Sequence, residues 1–367
     1  MKNPLIEKWA KALVGYSVEV KPGQTVVIMG HTAAEDLITA CAHEVIDRGA
    51  HPVTWPLTEG DTPYLLANGS DEQLEWLTPF EKFTRQEADV VINIRAETNT
   101  RRLNDIDPAR QRKFTSARSE LGASFMQRAA DGDLDWTLTL YPTDAYAQDA
   151  NMDTAAFTEF VMGAMKLDQD DPVAAWLELR EEQQRLIDWL DGKSDIHLTG
   201  PDTDLRVNVS GRSWVNSDGR RNFPSGEIFT SPVETSANGH IRFSFPVVTG
   251  GRRIEDIRLK FEDGKVVDAT AAANEDYLIS TLDTDAGARF LGEFAFGTNF
   301  GIQQFIGNIL FDEKIGGTVH MALGRGYPET GSTNVSAIHW DMICDLRQGG
   351  QITVDGELFQ KDGKFVV

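Results

Sequence analysis

The residue pair with the clearest chemical potential is His339 and Asp341, which stand two positions apart in the run Ser336–Ile343. In a β-strand, side chains at positions i and i+2 point to the same face, so this imidazole and this carboxylate would project together. Side by side on a rigid strand, the two groups form a good pair of metal ligands. A buried His–Asp hydrogen bond explains the pair as well, so the motif alone leaves both interpretations open.

Three further candidate ligands are flanked by apolar residues, which indicates that folding removes them from water: Glu227, Glu293 and His320. A buried unpaired carboxylate is costly, so each glutamate needs a cation or a strong hydrogen-bond donor. Salt bridges to arginine are the alternative for the glutamates, and a satisfied core position is the alternative for the histidine. Oxygen and nitrogen ligands without a thiolate suit Zn, Co or Mn, and these five side chains suffice for two ions that share a bridging carboxylate and water.

The elements that must position these residues change in character along the chain. The first half alternates buried-strand and helix patterns, which predicts a doubly wound, parallel-type α/β domain over residues 1–194. The patterns predict strands at 24–29, 53–55, 88–94 and 136–140, and helices at 4–16, 34–48 and 173–191.

After residue 195, alternating apolar residues and turn signals predict a β-rich α+β domain over residues 195–367 that carries the metal site. The predicted strands lie within 197–209 and at 241–245, 257–261, 266–269, 318–323 and 336–343, with one helix at 275–290 and turns at Gly250-Gly251 and Asp263-Gly264.

Composition limits the possible partners and compartments. The 57 acidic and 35 basic residues give a net charge of −22, which disfavours nucleic acid and anionic membrane as partners. Only two cysteines, Cys41 and Cys344, occur, so a disulfide framework and a thiolate zinc site are not expected. Charges at Glu7, Lys8 and Lys11 interrupt any signal peptide, and no apolar run is long enough for a membrane span. We therefore expect a cytoplasmic protein.

Several motifs resemble, in their order along the chain, those of the M29 aminopeptidases, also called the aminopeptidase T or thermophilic aminopeptidase family. The resemblance is good over about residues 165–350 and loose over the first 160. The motifs in the C-terminal half are Glu227–Pro232, Leu291–Glu293, Asn308–Glu313, His320–Gly324 and Asn334–Met342.

This resemblance implies metal ligands at Glu227, Glu293, His320, His339 and Asp341, and a functional tyrosine at Tyr327. It also implies a two-domain α/β protein, usually a homodimer, that acts on peptides with a free N-terminus. The chain departs from the family in one motif: Gly226 stands where members commonly have an acid before the glutamate, which puts the role of that acid in doubt here.

The expected mechanism uses two divalent ions, Zn, Co or Mn, which lower the pKa of a bridging water so that hydroxide attacks the scissile carbonyl. Tyr327 is expected to donate a hydrogen bond to the oxyanion. Glu313 is the candidate for carrying the proton to the leaving amine, with a surface salt bridge as its alternative. The sequence leaves open whether Glu227 or Glu293 bridges the ions.

Two other functions compete with the aminopeptidase. Ring-opening dioxygenases of the dihydroxypyridine type resemble this family, and His320, His339 and Asp341 would then hold a single ferrous ion. The presence of both Glu227 and Glu293 favours the two-metal site. A binding protein that has lost turnover is the third possibility, and the complete ligand set argues against it.

Overall fold

The computed structural model describes residues 3–249 and 252–367, so the predicted turn at Gly250-Gly251 lies outside the described residues. The helices are, in chain order, α1 (Pro4–Ala12), α2 (Glu35–Asp47), α3 (Asp61–Asn68), α4 (Asp71–Glu75), α5 (Pro79–Gln86), α6 (Pro108–Ser116), α7 (Ser119–Asp131), α8 (Asp144–Asp149), α9 (Thr154–Ala164), α10 (Pro172–Leu190), α11 (Glu275–Leu282) and α12 (Ile309–Asp312).

The strands are, in chain order, β1 (Thr25–His31), β2 (His51–Leu57), β3 (Val90–Arg95), β4 (Asp135–Leu140), β5 (Asp195–Gly200), β6 (Thr203–Asn208), β7 (Val215–Ser217), β8 (Asn222–Phe223), β9 (Glu227–Thr230), β10 (Asn238–Phe243), β11 (Val247–Thr249), β12 (Arg252–Ile254), β13 (Ile257–Glu262), β14 (Lys265–Thr270), β15 (Leu291–Gly297), β16 (Val319–Gly324), β17 (His339–Cys344), β18 (Gln351–Val354), β19 (Glu357–Lys361) and β20 (Lys364–Phe365).

The chain divides into two compact units. The first comprises Met1–Val173 and Gly219–Pro224, and the second comprises Ala174–Asp218 and Ser225–Val367. The first unit contains a parallel sheet in the order β2-β1-β3-β4-β8. Its interior strand β1 carries Val26, Val27 and Ile28, which are fully buried, as expected for a parallel sheet.

The second unit contains two larger antiparallel sheets. One has eight strands in the order β14-β13-β10-β6-β5-β18-β19-β20, and the other has five in the order β17-β16-β15-β9-β7. Strand β13 alternates strictly between buried and exposed residues, which places one face of the eight-stranded sheet in the core. A single apolar cluster includes residues of both sheets, and the rings of Phe296 and Phe359 lie 5.0 Å apart within it.

The predicted fold class is confirmed: a mixed α/β chain with a parallel sheet is followed by a separate antiparallel, β-rich region. The boundary at residue 194 stays a prediction about domain organisation. No helix of the described residues is long and apolar enough to cross a membrane.

One predicted helix, 275–290, was wrong in its second half. Helix α11 ends at Leu282, and the residues that follow are turns before β15 begins. Asp285 there accepts hydrogen bonds from the backbone N–H groups of Gly287 and Ala337. A Cβ at Gly287 would lie 2.2 Å from the carbonyl oxygen of Val335. Close approach to a distant loop therefore replaces the helical hydrogen bonds that the local sequence favours.

Candidate metal centre

Four neighbouring strands of the five-stranded sheet each contribute to one cluster of polar side chains. Glu227 begins β9, Glu293 lies on β15, His320 lies on β16, and β17 carries both His339 and Asp341. The prediction that His339 and Asp341 project from the same face of β17 agrees with this geometry. The alternate residues of the strand, Trp340 and Met342, belong to the apolar core on the other face. The sheet thus joins residues separated by up to 114 positions in sequence.

Small residues on the same face make room for the cluster. Ala322 of β16 lies between Glu293 and Asp341, since it pairs with both across the sheet. His320 is paired with Ala295 on β15. Methyl groups at these positions leave space above the strands, whereas the opposite face of β15 carries the large rings of Phe294 and Phe296. The alternation of small and large residues therefore separates the cluster from the core.

The distances within the cluster are short. His339 Nε2 lies 3.0 Å from Glu293 Oε2 and 3.5 Å from Asp341 Oδ1. His320 Nε2 lies 3.3 Å from Glu227 Oε2 and 3.7 Å from Glu293 Oε1. All five of the predicted ligands therefore meet in one place.

Two groups of three residues have donor atoms within 4.8 Å of one another. We name the group Glu293, His339 and Asp341 the His339 subsite, and the group Glu313, His320 and Asp341 the His320 subsite. Asp341 belongs to both groups. Glu227 belongs to neither, although its carboxylate contacts His320.

Glu313 enters the cluster from the segment that follows α12. Glu313 does form a salt bridge, the alternative considered from sequence, but it lies away from the surface because the Glu313 side chain is only 14% exposed. It contacts the ammonium of Lys314, whose side chain is 0% exposed and also lies 3.4 Å from Glu227 Oε1. A fully buried lysine is uncommon unless it is paired, and here two carboxylates pair with it.

The two histidines differ in how their second ring nitrogen is held. Nδ1 of His339 lies 2.7 Å from the carbonyl oxygen of Arg325, which can only accept a hydrogen bond, so the proton resides on Nδ1 when the ring is neutral. That tautomer leaves the lone pair of Nε2 directed at the cluster, as in many metal-binding histidines. Nδ1 of His320 is buried and has no hydrogen-bond partner among residues 3–249 and 252–367.

Tyr327 lies beside the His339 subsite. Its hydroxyl oxygen is 3.4 Å from His339 Nε2, and its ring packs against the rings of His339 and Phe229 at centroid distances of 5.0 and 5.3 Å. Burial raises the pKa of Tyr327 above its ordinary value, and the neighbouring carboxylates raise it further. The phenol therefore stays protonated and available as a donor at neutral pH.

Burial and charge pairing set the pKa values of the acidic and imidazole groups in the protein without metal. Burial alone would raise the pKa of Glu293, but hydrogen bonds and charges from His320 and His339 outweigh it and lower this pKa to about 2. Burial opposes charge on the histidines, yet the carboxylates raise the pKa of His320 to about 9 and that of His339 to about 11. Burial raises the pKa of Glu313 to about 7, against the attraction of Lys314.

The donor atoms fit divalent metal ions. Within the part of the chain that the structure describes, Glu227 Oε2, Asp341 Oδ1 and His320 Nδ1 are buried and make no hydrogen bond, although the two carboxylate oxygens lie 3.3 and 3.5 Å from imidazole nitrogens. Buried polar atoms normally have partners, so these atoms call for an explanation, and coordination of a cation would supply one for the carboxylate oxygens. Carboxylate and imidazole donors without thiolate are the set that suits Zn, Co or Mn.

The segment between β16 and β17, which carries Tyr327, is anchored outside the cluster. The Glu234 carboxylate accepts hydrogen bonds from the Thr333 backbone N–H and hydroxyl at 2.7 and 2.9 Å, and is also paired with Arg212 at 2.6 Å. Asp285 accepts a hydrogen bond from the Ala337 N–H at 2.7 Å. These two carboxylates hold the loop between the two histidine strands in place.

The departure at Gly226 has a physical cause. Gly226 adopts φ +113°, a conformation that disfavours side chains, and a Cβ there would lie 2.6 Å from the Cβ of Asn299. Its carbonyl also accepts hydrogen bonds from the backbone N–H groups of Thr298 and Asn299. An acid at this position is therefore incompatible with the local backbone of this chain.

Sequence reasoning missed Lys314. The available signal was weak: Lys314 stands between a candidate catalytic acid, Glu313, and the apolar Ile315. From sequence, Glu313 was assigned to proton transfer or a surface salt bridge and not to the ligand set, whereas its carboxylate lies among the donor atoms of the His320 subsite. Neither placement follows from local spacing, because the segment after α12 reaches the cluster only through the tertiary fold.

Known proteins resemble the chain over nearly its whole length. "Aminopeptidase 2" of Geobacillus stearothermophilus is 29% identical over 98% of this chain and 95% of its own. "Aminopeptidase T" of Thermus thermophilus is 26% identical over 88% of this chain and 85% of its own.

Among solved structures, wild-type AmpT from Thermus thermophilus superposes with a TM-score of 0.86 at 22% identity, covering 99% of both chains. A 2,5-dihydroxypyridine dioxygenase from Pseudomonas putida superposes with a TM-score of 0.58 at 14% identity, covering 99% of this chain and 97% of its own. At these identities both likenesses concern the fold alone.

The family profile described as thermophilic metalloprotease (M29) matches residues 2–365. With a profile match across almost the entire chain and a cluster of buried carboxylates and imidazoles in its antiparallel region, the chain belongs to the M29 family of metallopeptidases and is a hydrolase.

Proposed function

We propose that this metalloaminopeptidase removes N-terminal residues from peptides with two divalent metal ions, one in the His339 subsite and one in the His320 subsite. The observation that carries the proposal is the pair of three-residue donor groups that share Asp341. Two neighbouring ions joined by a shared carboxylate are the arrangement used by many two-metal hydrolases.

In this proposal, Glu293, His339 and Asp341 would hold one ion, and Glu313, His320 and Asp341 would hold the other. Glu227 adds a second carboxylate near His320, with its Oε2 3.3 Å from Nε2. When bound, the ions supply Lewis acidity for the scissile carbonyl and a bridging water of lowered pKa. Asp341, which belongs to both donor groups, would join Glu227 and Glu293 as a candidate for the carboxylate that both ions share.

Tyr327 is the proposed donor to the oxyanion. Its phenol is protonated at neutral pH because burial raises its pKa, and it lies at the edge of the His339 subsite. A fixed donor of this kind stabilises negative charge that develops on the substrate oxygen. Glu313 remains the proposed proton carrier, and the same carboxylate would also serve as a ligand.

A substrate with a free amino group is proposed from the family and from the relatives named aminopeptidases. Among the described residues, Lys314 is the one lysine or arginine within 4.0 Å of the carboxylates of Glu227, Glu293, Glu313 and Asp341. Peptides with a blocked N-terminus lack the free amino group that such substrates carry.

The test combines metal analysis of the purified protein with hydrolysis of aminoacyl amides and their N-acetylated counterparts. We expect two Zn, Co or Mn ions per chain and cleavage of the free amines only. A single iron per chain with ring opening of a dihydroxypyridine would establish the dioxygenase alternative, whose support is a likeness in fold alone. Full metal occupancy without hydrolysis across a peptide panel would indicate a binding protein.

The proposed setting is the cytoplasm, with a homodimer as the assembly. Both cysteines are free and buried, which agrees with a reducing compartment. The homodimer is implied by the family resemblance, and light scattering of the purified protein tests it.

A further inference from the structure

Lys314 is a buried cation at the edge of the metal centre. Its side chain is 0% exposed. Its backbone is fixed on both sides, since its N–H donates to the Phe311 carbonyl at 3.0 Å and its carbonyl accepts from the Asn299 N–H at 3.1 Å. The ammonium therefore has few alternative positions, and its charge is a constant feature of the site.

The contacts of the Lys314 ammonium are with carboxylates near His320 and not with those near His339. Its ammonium contacts Glu313, a member of the His320 subsite, and lies 3.4 Å from Glu227, whose other oxygen is 3.3 Å from His320. In the His339 subsite, neither Glu293 nor Asp341 has a lysine or arginine nitrogen within 4.0 Å, considering the residues that the structure describes. One subsite thus shares its carboxylates with a resident cation, and the other does not.

We propose that Lys314 makes the two metal subsites unequal: the His339 subsite binds its ion more tightly and fills first, and the His320 subsite holds a weaker, exchangeable ion. The inference rests on the proposed two-metal function and adds the order and the cause of binding. Lys314 acts through the charge of its ammonium on Glu313 and Glu227, the carboxylates that it contacts.

Two physical effects act in the same direction. The ammonium repels a divalent ion that enters the His320 subsite, and it also competes for Glu313 and Glu227, whose negative charge would otherwise attract that ion. The same ammonium stabilises both buried carboxylates when the ion is absent, because unpaired buried charges are costly. The His320 subsite can therefore lose and regain its ion while its ligands stay in place.

The experiment is a calorimetric titration of the metal-stripped full chain with Zn²⁺ alone. Wild-type protein is expected to bind two ions in two steps of unequal affinity. The variants Lys314→Met and Lys314→Gln remove the charge and keep a side chain of similar length. In both, the affinity of the weaker step is expected to rise by at least about tenfold, because removing a positive charge in contact with the ligands strengthens cation binding. The tighter step is expected to change much less.

Two further variants assign the steps and control for surface charge. Glu313→Gln is expected to abolish only the weaker step, and Lys193→Met removes a lysine whose partner is Glu357, outside the cluster, and is expected to leave both steps unchanged. The glutamine variant keeps a hydrogen-bond donor for Glu313, so it remains informative if the methionine variant does not fold without metal. Melting temperatures of the metal-free proteins are expected to fall in both Lys314 variants.

The outcomes separate this inference from the proposed function. One bound ion per wild-type chain would overturn the two-metal function and this inference with it. Two unequal steps whose ratio is the same in wild type and in both neutral variants would overturn this inference alone. A weaker step that loses affinity in both variants would also overturn it, because Lys314 would then align the ligands without competing with the ion.

Discussion

Asp341 is the carboxylate that both subsites share. The substitution Asp341→Asn is therefore expected to weaken the binding of both metal ions. The substitution preserves the shape of the side chain and removes its charge. Among the described residues Asp341 Oδ1 makes no hydrogen bond, and its interaction within the protein is the 3.5 Å contact with His339 Nε2. The fold is therefore expected to remain, and the effect should appear in metal binding.

The magnitude follows from linkage between binding and folding. An ion present at 100 times its dissociation constant stabilises the folded state by about 2.7 kcal/mol, and each kcal/mol moves the melting temperature of a unit of this size by about 2–4 °C. Two ions should therefore raise the melting temperature of the wild type by about 10–20 °C. If the loss of the shared ligand raises the dissociation constant of each ion about 100-fold, the rise in melting temperature falls to about 2–3 °C at the same metal concentration.

The assay is differential scanning calorimetry with and without Zn²⁺, together with metal analysis after dialysis and hydrolysis of an aminoacyl amide. Asp345→Asn is the matched control, because Asp345 follows the same strand but is paired with Arg347 at 2.7 Å, outside the cluster. It is expected to keep both ions and activity. Retention of two ions, the full thermal shift and full turnover in Asp341→Asn would refute the shared-ligand scheme.

Three other predictions follow from single residues. Tyr327→Phe is expected to lower kcat by about 10²–10³ with both ions retained, as for loss of an oxyanion donor; an unchanged kcat would exclude that role. Gly226→Ala is expected to destabilise the protein by more than about 1 kcal/mol in urea unfolding, because its φ of +113° and the contact with Asn299 oppose a side chain; equal stability would contradict this strain. Glu234→Gln is expected to cost about 1–3 kcal/mol at pH 7. Burial opposes the charge of Glu234, but hydrogen bonds from Thr333 and the charge of Arg212 lower its pKa, so its contribution is present above the ordinary pKa of 4.5 and is lost as the pH falls below it; the stability gap to wild type should narrow in acid, and a gap independent of pH would contradict the argument.

The strands and the face of His339 and Asp341 were predictable from sequence because strand periodicity is a local property. Burial of Glu227 and Glu293 was predictable from their apolar neighbours, and the family resemblance supplied Tyr327. The length of the helix predicted at 275–290 was overestimated, because Gly287 closely approaches Val335. A contact between residues so far apart in sequence leaves no local pattern.

The sequence by itself determined the types of ligand, the fold class and the family, since these depend on side-chain chemistry, local periodicity and motif order. Only the tertiary structure decided that Asp341 belongs to both donor groups, that Glu313 joins His320, and that Lys314 lies between Glu313 and Glu227. Those relations depend on the register of four strands and on the path of the segment after α12. Strand register and loop path are set by packing across the whole unit, so no local spacing encodes them.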